Sequence, residues 1–271
     1  MTPSDDNIML NIDFSRPILS IDCGTSVMSL ALRCNGQVFE INQEIGAKQS
    51  ENLLPALRDL YAQAGIDTPD LAAIVVNQGP GAFTGLRVGA SVAQGLAAAF
   101  NIPLIGVPSL DALAYSAPPC PCVLAAMDAR MGEVFYAFFD TVNQQRLSDY
   151  CVGKAVDIRL PEKQSQCVVI GNTPISGSLK AENSIVDKIQ NETMQRAADS
   201  INNTARHRCE VSFLKVIDYI NKMPKACDFL NIALSGRYEI KNAENMSLLY
   251  VRDKIALTAT EQAQRKKEMA Q

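Results

Sequence analysis

A chain of 271 residues with 47% hydrophobic and 20% charged residues has room for two domains, each with its own core, and is not a disordered polymer. A formal charge of −4 excludes the basic field that grips a polyanion, since nucleic-acid affinity rests on phosphates neutralised by clustered Lys and Arg. The single histidine, His207 in the polar stretch Ala205-Arg206-His207-Arg208, excludes a pair of imidazoles on one metal within this chain.

The start, Met1 to Arg16, carries Asp5, Asp6 and Asp13 and lacks the basic head and apolar run of a signal peptide. No later stretch approaches the roughly 20 apolar residues of a membrane span, so a cytosolic protein with no membrane contact is expected. The eight cysteines are scattered and include no C-x-x-C pair, which predicts reduced, mostly buried thiols. Cys120-Pro121-Cys122 has no further ligand nearby, and no metal is expected.

In chain order, Pro17 to Asp22 reads as a buried strand ending in the tight turn Cys23-Gly24-Thr25-Ser26. Strands follow at Val27–Cys34 and Gln37–Glu44, joined by the Asn35-Gly36 hairpin signal. A helix over Glu51 to Ala64 is predicted from Leu53, Leu54, Leu57, Leu60, Tyr61 and Ala64, with Ser50 as N-cap, Gly65 as C-cap and Pro55 near its first turn. Leu71 to Asn77 reads as a fourth strand running into the loop Gly79-Pro80-Gly81-Ala82-Phe83-Thr84-Gly85. A small, apolar helix from Leu86 to Phe100, a strand at Pro103–Val107 and a short helix capped by Ser109 complete this half.

A second half starts at Cys122, with a strand at Val123–Met127, the turn Asp128-Ala129-Arg130-Met131-Gly132 and a returning strand at Glu133–Asp140. The pattern of apolar strand, Asp, turn and strand therefore occurs at both Asp22 and Asp128, the mark of an internal duplication. A strand at Cys167–Ile170 follows, then a polar stretch from Asn183 to Arg208 that reads as a solvated helix or an insertion. Val211, Leu214, Ile217 and Ile220 recur at helical spacing, and the tail after Thr260 reads as a frayed helix end.

The strand, strand, strand, helix, strand, helix, strand order predicts an α/β, actin-like (ASKHA, ribonuclease-H-like) duplicated fold with a degenerate second half. The expected division is a 1–16 extension, a 17–110 first domain completed by a helix at about 209–222, a smaller 111–208 second domain with an insertion, and a 223–271 C-terminal segment and tail. In such folds the turn at Asp22, Gly24 and Thr25 has the form of a phosphate loop: glycine admits the phosphates, hydroxyls donate, and the carboxylate holds Mg²⁺ through water. The same residues also form an ordinary strand-ending turn. Gly79, Gly81 and Thr84 likewise offer N–H groups to an anion at a helix start, or else serve only a tight turn with Thr84 as its cap. The turn that would close a nucleotide clamp, Ala129-Arg130-Met131-Gly132, is filled by bulky side chains, which argues against independent ATP hydrolysis; Arg130 reads as a solvated hairpin-tip side chain or, in the second case, as a partner for a phosphate or carboxylate.

Four motifs then carry a resemblance: Ile21-Asp22-Cys23-Gly24-Thr25-Ser26, Ser50-Glu51-Asn52-Leu53-Leu54-Pro55, the run Gly79 to Gly89, and Met127 to Val134. In that order they closely resemble the TsaB (YeaZ-like) family. The likeness covers Pro17 to Asp140 and resumes at Leu249-Tyr250-Val251-Arg252, where Leu248 stands in place of the proline of the family's Pro-x-Tyr-x-Arg signature. The resemblance implies an inactive relative of the transferase TsaD, which moves a threonylcarbamoyl group to N6 of the adenosine next to the anticodon in tRNA. It implies a scaffold with no catalytic residue or cofactor of its own, with ATP or ADP entering only in the assembled complex. Expected partners are a TsaD-like transferase and a TsaE-like ATPase, tRNA only through the complex, and a homodimer as the alternative assembly of the isolated chain. Two readings from other classes stand beside it: an actin-like sugar kinase or ATPase using Asp22 and Thr25, and a peptidase, which lacks a nucleophile-base set here. The implied partner surface lies on the two long helices, with Leu53 and Leu57 on one flank of the first and Leu54 and Tyr61 on the other. On the second helix it takes the close-approach row Gly85, Gly89 and Ala93 beside Val92 and Leu96.

Overall fold

The computed structural model describes residues 12–173 and 216–252. The Asn183 to Arg208 stretch with His207, the tail after Thr260 and most of the 1–16 extension lie outside the described residues.

Strand β1 (Ile18–Asp22) is buried along its whole length and sits mid-sheet, antiparallel to β2 (Val27–Cys34) and parallel to β4 (Ala73–Gly79). A strand covered on both faces needs apolar residues at successive positions, which is why β1 and β4 read as continuous runs rather than alternating ones. β3 (Gln37–Glu44) is joined to β2 by Asn35 (φ 51°) and Gly36 (φ 76°), the two left-handed residues that a type I′ turn requires. β5 (Leu104–Pro108) extends the parallel side, and the short β12 (Ile240–Lys241) closes that edge, giving the order β12-β5-β4-β1-β2-β3.

Helices α1 (Gln49–Ala64) and α2 (Phe83–Phe100) cover one face of this sheet, burying Leu53, Leu57, Leu60, Ala90 and Ala93 against Leu19, Ile21, Leu30, Ile74 and Val76. The opposite face is covered by α4 (Ala226–Ala233), with Phe229 and Leu230 against Ile18, Val75 and Val107. The short helix α3 (Ser109–Ala114) joins the two halves: Ala112 belongs to that second core, while Leu110 and Leu113 pack on the second sheet.

The second sheet repeats the plan. β6 (Val123–Arg130) pairs antiparallel with β7 (Glu133–Asp140), which carries the short β8 (Gln145–Arg146) and β9 (Cys151–Lys154), while β10 (Cys167–Gly171) and β11 (Val216–Asn221) lie parallel on the other side. The order β11-β10-β6-β7-β8 matches β5-β4-β1-β2-β3, strand for strand and direction for direction, so the molecule has the duplicated actin-like fold.

Several local expectations are corrected. The residues 216–221 form a strand and not part of a helix: Val216, Ile217, Tyr219 and Ile220 are β-branched or aromatic, and β10 offers them an open edge. The helix that packs on the first sheet is α4 instead. α1 begins at Gln49 after Lys48 with no side-chain cap, so Ser50 is already helical, and the helix runs through the exposed Pro55 in its second turn. Gly65, at φ 67°, ends it as expected. α2 begins after Ala82, so Thr84 lies inside its first turn rather than capping it. Ser109 is likewise the first residue of α3, not its cap. β6 runs on through Asp128, which is exposed and accepts a bond from the Arg130 N–H (2.8 Å), whereas Asp22 is fully buried.

Candidate functional site

The turn after β1 is held by a buried polar network that ties together the carboxyl ends of three strands. The Oδ1 atom of Asp22 accepts from the Gly24 N–H (2.8 Å) and from Asn77 Nδ2 (2.7 Å). In turn Asn77 Oδ1 accepts from the Gly79 N–H (2.7 Å) and from the Ser109 hydroxyl (2.7 Å). The other carboxyl oxygen, Asp22 Oδ2, is buried with no partner among the described residues. Burial pushes the Asp22 carboxyl up to about 6, against the lowering effect of the Asn77 and Gly24 bonds, and the charge of Asp228 adds to the rise.

The two glycine-bearing loops meet here, but they pack into each other. A Cβ on Gly81 would lie 2.5 Å from the Gly24 carbonyl oxygen, one on Gly85 would lie 2.0 Å from that of Cys23, and one on Gly24 would lie 2.4 Å from Asn77 Nδ2. The Ala82 N–H donates to the Gly24 carbonyl at 2.7 Å. Thr25 is nearly buried, and its hydroxyl is used within its own turn, on the N–H and carbonyl of Val27 (3.1 Å each). Its carbonyl accepts from Gln49 Nε2 at 2.9 Å, which fixes the start of α1.

The C-terminal segment crosses above this junction. The Leu249 N–H donates to the Gln78 carbonyl (2.8 Å), and the Leu249 carbonyl oxygen lies 3.0 Å from where a Gly79 Cβ would be. Tyr250 packs on Phe83 at 5.7 Å between ring centroids, Arg87 covers Phe83 at 3.6 Å, and Arg252 reaches the second sheet in an ion pair with Glu133. Leu248, the departure from the resembling signature, is partly buried against the core under α1 and α2.

The sequence thus brought Asp22, Gly24, Thr25, Gly79 and Gly81 together, while Thr84 faces solvent. Little room is left for a phosphate among them: a Cβ on Gly81 or Gly85 would meet backbone of the turn after β1, one on Gly24 would meet the Asn77 side chain, and the Gly24 and Gly79 N–H groups and the Thr25 hydroxyl already bond within the junction. Arg130 stands exposed at a hairpin tip in left-handed conformation (φ 63°). Asn77 and Ser109, which carry the network, were read from the sequence only as a strand end and a helix cap; the signal was a polar residue closing the apolar run of β4 and another opening α3.

The helix faces are also reassigned. Leu53, Leu57, Gly85, Gly89 and Ala93 are buried in the chain's own core, and a Cβ on Gly89 would touch Ile21 and Cys23 at 3.5 Å, so the small-residue row serves close approach to β1 and its turn. Placing Glu at Gly89 would therefore drive a charge into that core rather than into a partner. Facing outward are Leu54, 57% exposed, and Phe100, 46% exposed, with Tyr61, Val92 and Leu96 half-buried beside them.

Comparison with known proteins gives one consistent signal. The family model described as "TsaD: tRNA N6-adenosine threonylcarbamoyltransferase" matches residues 43–213. The TsaB protein of Escherichia coli, named for tRNA threonylcarbamoyladenosine biosynthesis, is 39% identical over 123 residues, 44% of this chain and 53% of that one. That of Haemophilus influenzae is 35% identical over 136 residues, 49% of this chain and 57% of that one. The chain spans about half the length of the curated relatives it matches. Two solved structures from Pseudomonas aeruginosa extend the likeness to the whole fold. One, of a protein with similarity to peptidase YeaZ, has a TM-score of 0.68 at 25% identity over 88% of this chain and 100% of that one. The other, named YeaZ, has a TM-score of 0.65 at 26% identity over 87% and 99%.

Proposed function

Since the chain belongs to the TsaD family, in its TsaB (YeaZ-like) branch, we propose that it is the non-catalytic subunit that pairs with a TsaD-like transferase to form N6-threonylcarbamoyladenosine next to the anticodon in tRNA. The observation that carries the non-catalytic part is the closed junction of the Asp22 and Gly79–Gly85 loops, where a Cβ on Gly85 would lie 2.0 Å from a backbone oxygen. A kinase or ATPase needs those loops parted around phosphates. Nor does the junction favour a peptidase. The thiol beside Asp22, Cys23, is buried, and burial together with the Asp22 charge pushes its ionisation far up, away from the thiolate that a nucleophile requires.

On this reading the chain acts through surfaces. The TsaD-like partner docks on the outward faces of α1 and α2, a TsaE-like ATPase joins the assembly, and nucleotide and tRNA engage the complex rather than this acidic subunit alone. Leu54 is the side chain to test, being a large apolar group that the chain's own core does not use. Leu54→Glu is expected to abolish co-purification with the TsaD partner and tRNA modification while leaving the subunit's circular dichroism and urea midpoint near wild type. Co-purification that survives this change would move the interface elsewhere.

A further inference from the structure

A second polar site lies away from the Asp22 junction, at the carboxyl ends of β4 and β5, where open α/β sheets hold their ligands. It is a cavity of about 390 Å³ walled by both sheets: α3, β5 and β12 contribute one side, and β8 with the residues after it the other. That volume falls at the small end of the ligand-site range of roughly 300–1,000 Å³ and suits a compact molecule.

At its floor is Asp111, on α3. Both of its oxygens are occupied: the Tyr150 hydroxyl donates to Oδ1 (2.6 Å) and the Tyr238 hydroxyl to Oδ2 (2.9 Å). The three residues come from separate parts of the chain, and this carboxylate sets the charge of the floor.

Above it stand cations whose donors are mostly unspent. The guanidinium of Arg146 lies over the Tyr150 ring at 4.1 Å, and that of Arg237 lies over the Tyr115 ring at 4.5 Å. Stacking of this kind fixes the plane of each group and leaves its N–H edges free to donate. Among the described residues, Arg237 donates to Gln144, and the nearest carboxylate to Arg146 is Asp149, at 3.9 Å and 97% exposed. Lys241 adds a third cation, 23% exposed, in a 3.3 Å ion pair with Glu239, which also lines the cavity and is 77% exposed. With Asp111 capped by two hydroxyls and Glu239 paired with Lys241, the charge left over at the cavity is that of the two guanidinium groups, in a chain whose net charge is −4.

We propose that this cavity binds a small multivalent oxyanion, a phosphate ester or a polycarboxylate, bridged between Arg146 of the second sheet and Arg237 with Lys241 of the first. Such a ligand fills the forked donors of two guanidinium groups at once, and because Arg146 is in β8 of the second sheet while Arg237 lies in the loop leading into β12 of the first, it fastens the two halves to each other.

The test is calorimetric titration of the full chain with pyrophosphate and, separately, with citrate, ionic strength being matched with sodium chloride. Saturable binding of one molecule per chain is expected, weakened at least tenfold by Arg146→Gln and by Arg237→Gln and unchanged by Arg58→Gln, on the far surface of α1. Binding of pyrophosphate alone assigns a phosphate ligand, of citrate alone a carboxylate, and of both a site that reads charge only; each outcome supports the proposal. Heats no larger than those of added salt, or binding that survives both arginine changes, overturn it and leave the cluster as a structural tie between the sheets. Should Arg237→Gln fail to fold, Lys241→Gln together with Arg146→Gln gives the same reading.

Discussion

The buried carboxylate of Asp22 makes a prediction whose sign is opposite to intuition about polar networks. Its carboxyl is pushed up to about 6 in the folded chain from an ordinary 3.8, because burial disfavours the charge more than two accepted hydrogen bonds favour it. The folded state therefore holds the proton more tightly than the unfolded one. Stability is greatest below about pH 4 and falls as pH rises through 6. Roughly two units at about 1.4 kcal/mol each put the loss near 3 kcal/mol at neutral pH, as an order of magnitude. Asp22→Asn cannot ionise. Its amide oxygen can take the place of Oδ1 and keep the bonds from Gly24 and Asn77, and its NH₂ falls where Oδ2 already lacks a partner among the described residues. In urea denaturation at pH 7.5 the variant is expected to exceed wild type by about 1–3 kcal/mol, with the gap shrinking to about 1 kcal/mol or less at pH 4.5. A variant less stable than wild type at pH 7.5 would refute the reasoning, since it would mean that the ionised carboxylate is stabilised by a charge or donor that the description of this turn lacks.

Other outcomes follow from the loop junction. Gly85→Ala must displace the Cys23 carbonyl from 2.0 Å and should cost about 3 kcal/mol or more, whereas Gly95→Ala, on the same helix with nothing within 4 Å of its Cβ, should gain about 0.5–1 kcal/mol; paired urea melts read both. Ser109→Ala leaves Asn77 Oδ1 with one buried donor instead of two and should lower stability by about 1–2 kcal/mol in the same assay, with little change in helix content by circular dichroism.

Much of the fold was legible because the first half announces its elements locally. Asn35-Gly36 has the left-handed geometry that its hairpin signal demands, Gly65 ends α1, and the repeated strand-Asp-turn-strand pattern at Asp22 and Asp128 is matched by two sheets of the same order. The site was less legible, for a reason of physics rather than of signal strength. A loop that cradles phosphate and a loop that receives another backbone both need glycine, because each must let atoms approach where a Cβ would stand. Gly81 and Gly85 satisfy the second condition, and only the distances to facing carbonyls distinguish it from the first. The same ambiguity misassigned Gly89 and Ala93, since small residues in a helical row show close approach without naming the neighbour. Val216–Asn221 read as a helix because its apolar residues allow a three-residue spacing, and the β-branched content that favours a strand counts only once β10 is known to offer an edge. Asp111, Tyr150 and Tyr238 were invisible, as their hydrogen bonds span 39 and 127 residues with no local pattern.

On the scaffold reading, the closed junction also bears on why a non-catalytic relative would keep these loops at all. Gln49 Nε2 fixes the start of α1 to the Thr25 carbonyl, the Ala82 N–H fixes the start of α2 to the Gly24 carbonyl, and Gly85 seats the first turn of α2 against Cys23. One short turn therefore sets the position of both long helices, and the Asp22 network anchors that turn to β4 and α3. Interlocked backbone of this kind has few alternative arrangements, so the outward faces of α1 and α2 are held in one relative geometry before any partner arrives. Binding to a preorganised surface loses less conformational entropy than binding to a mobile one. On the scaffold reading, residues that would touch phosphates in an actin-like kinase hold the partner helices rigid instead. The cost of that rigidity is a carboxyl oxygen on Asp22 with no partner among the described residues.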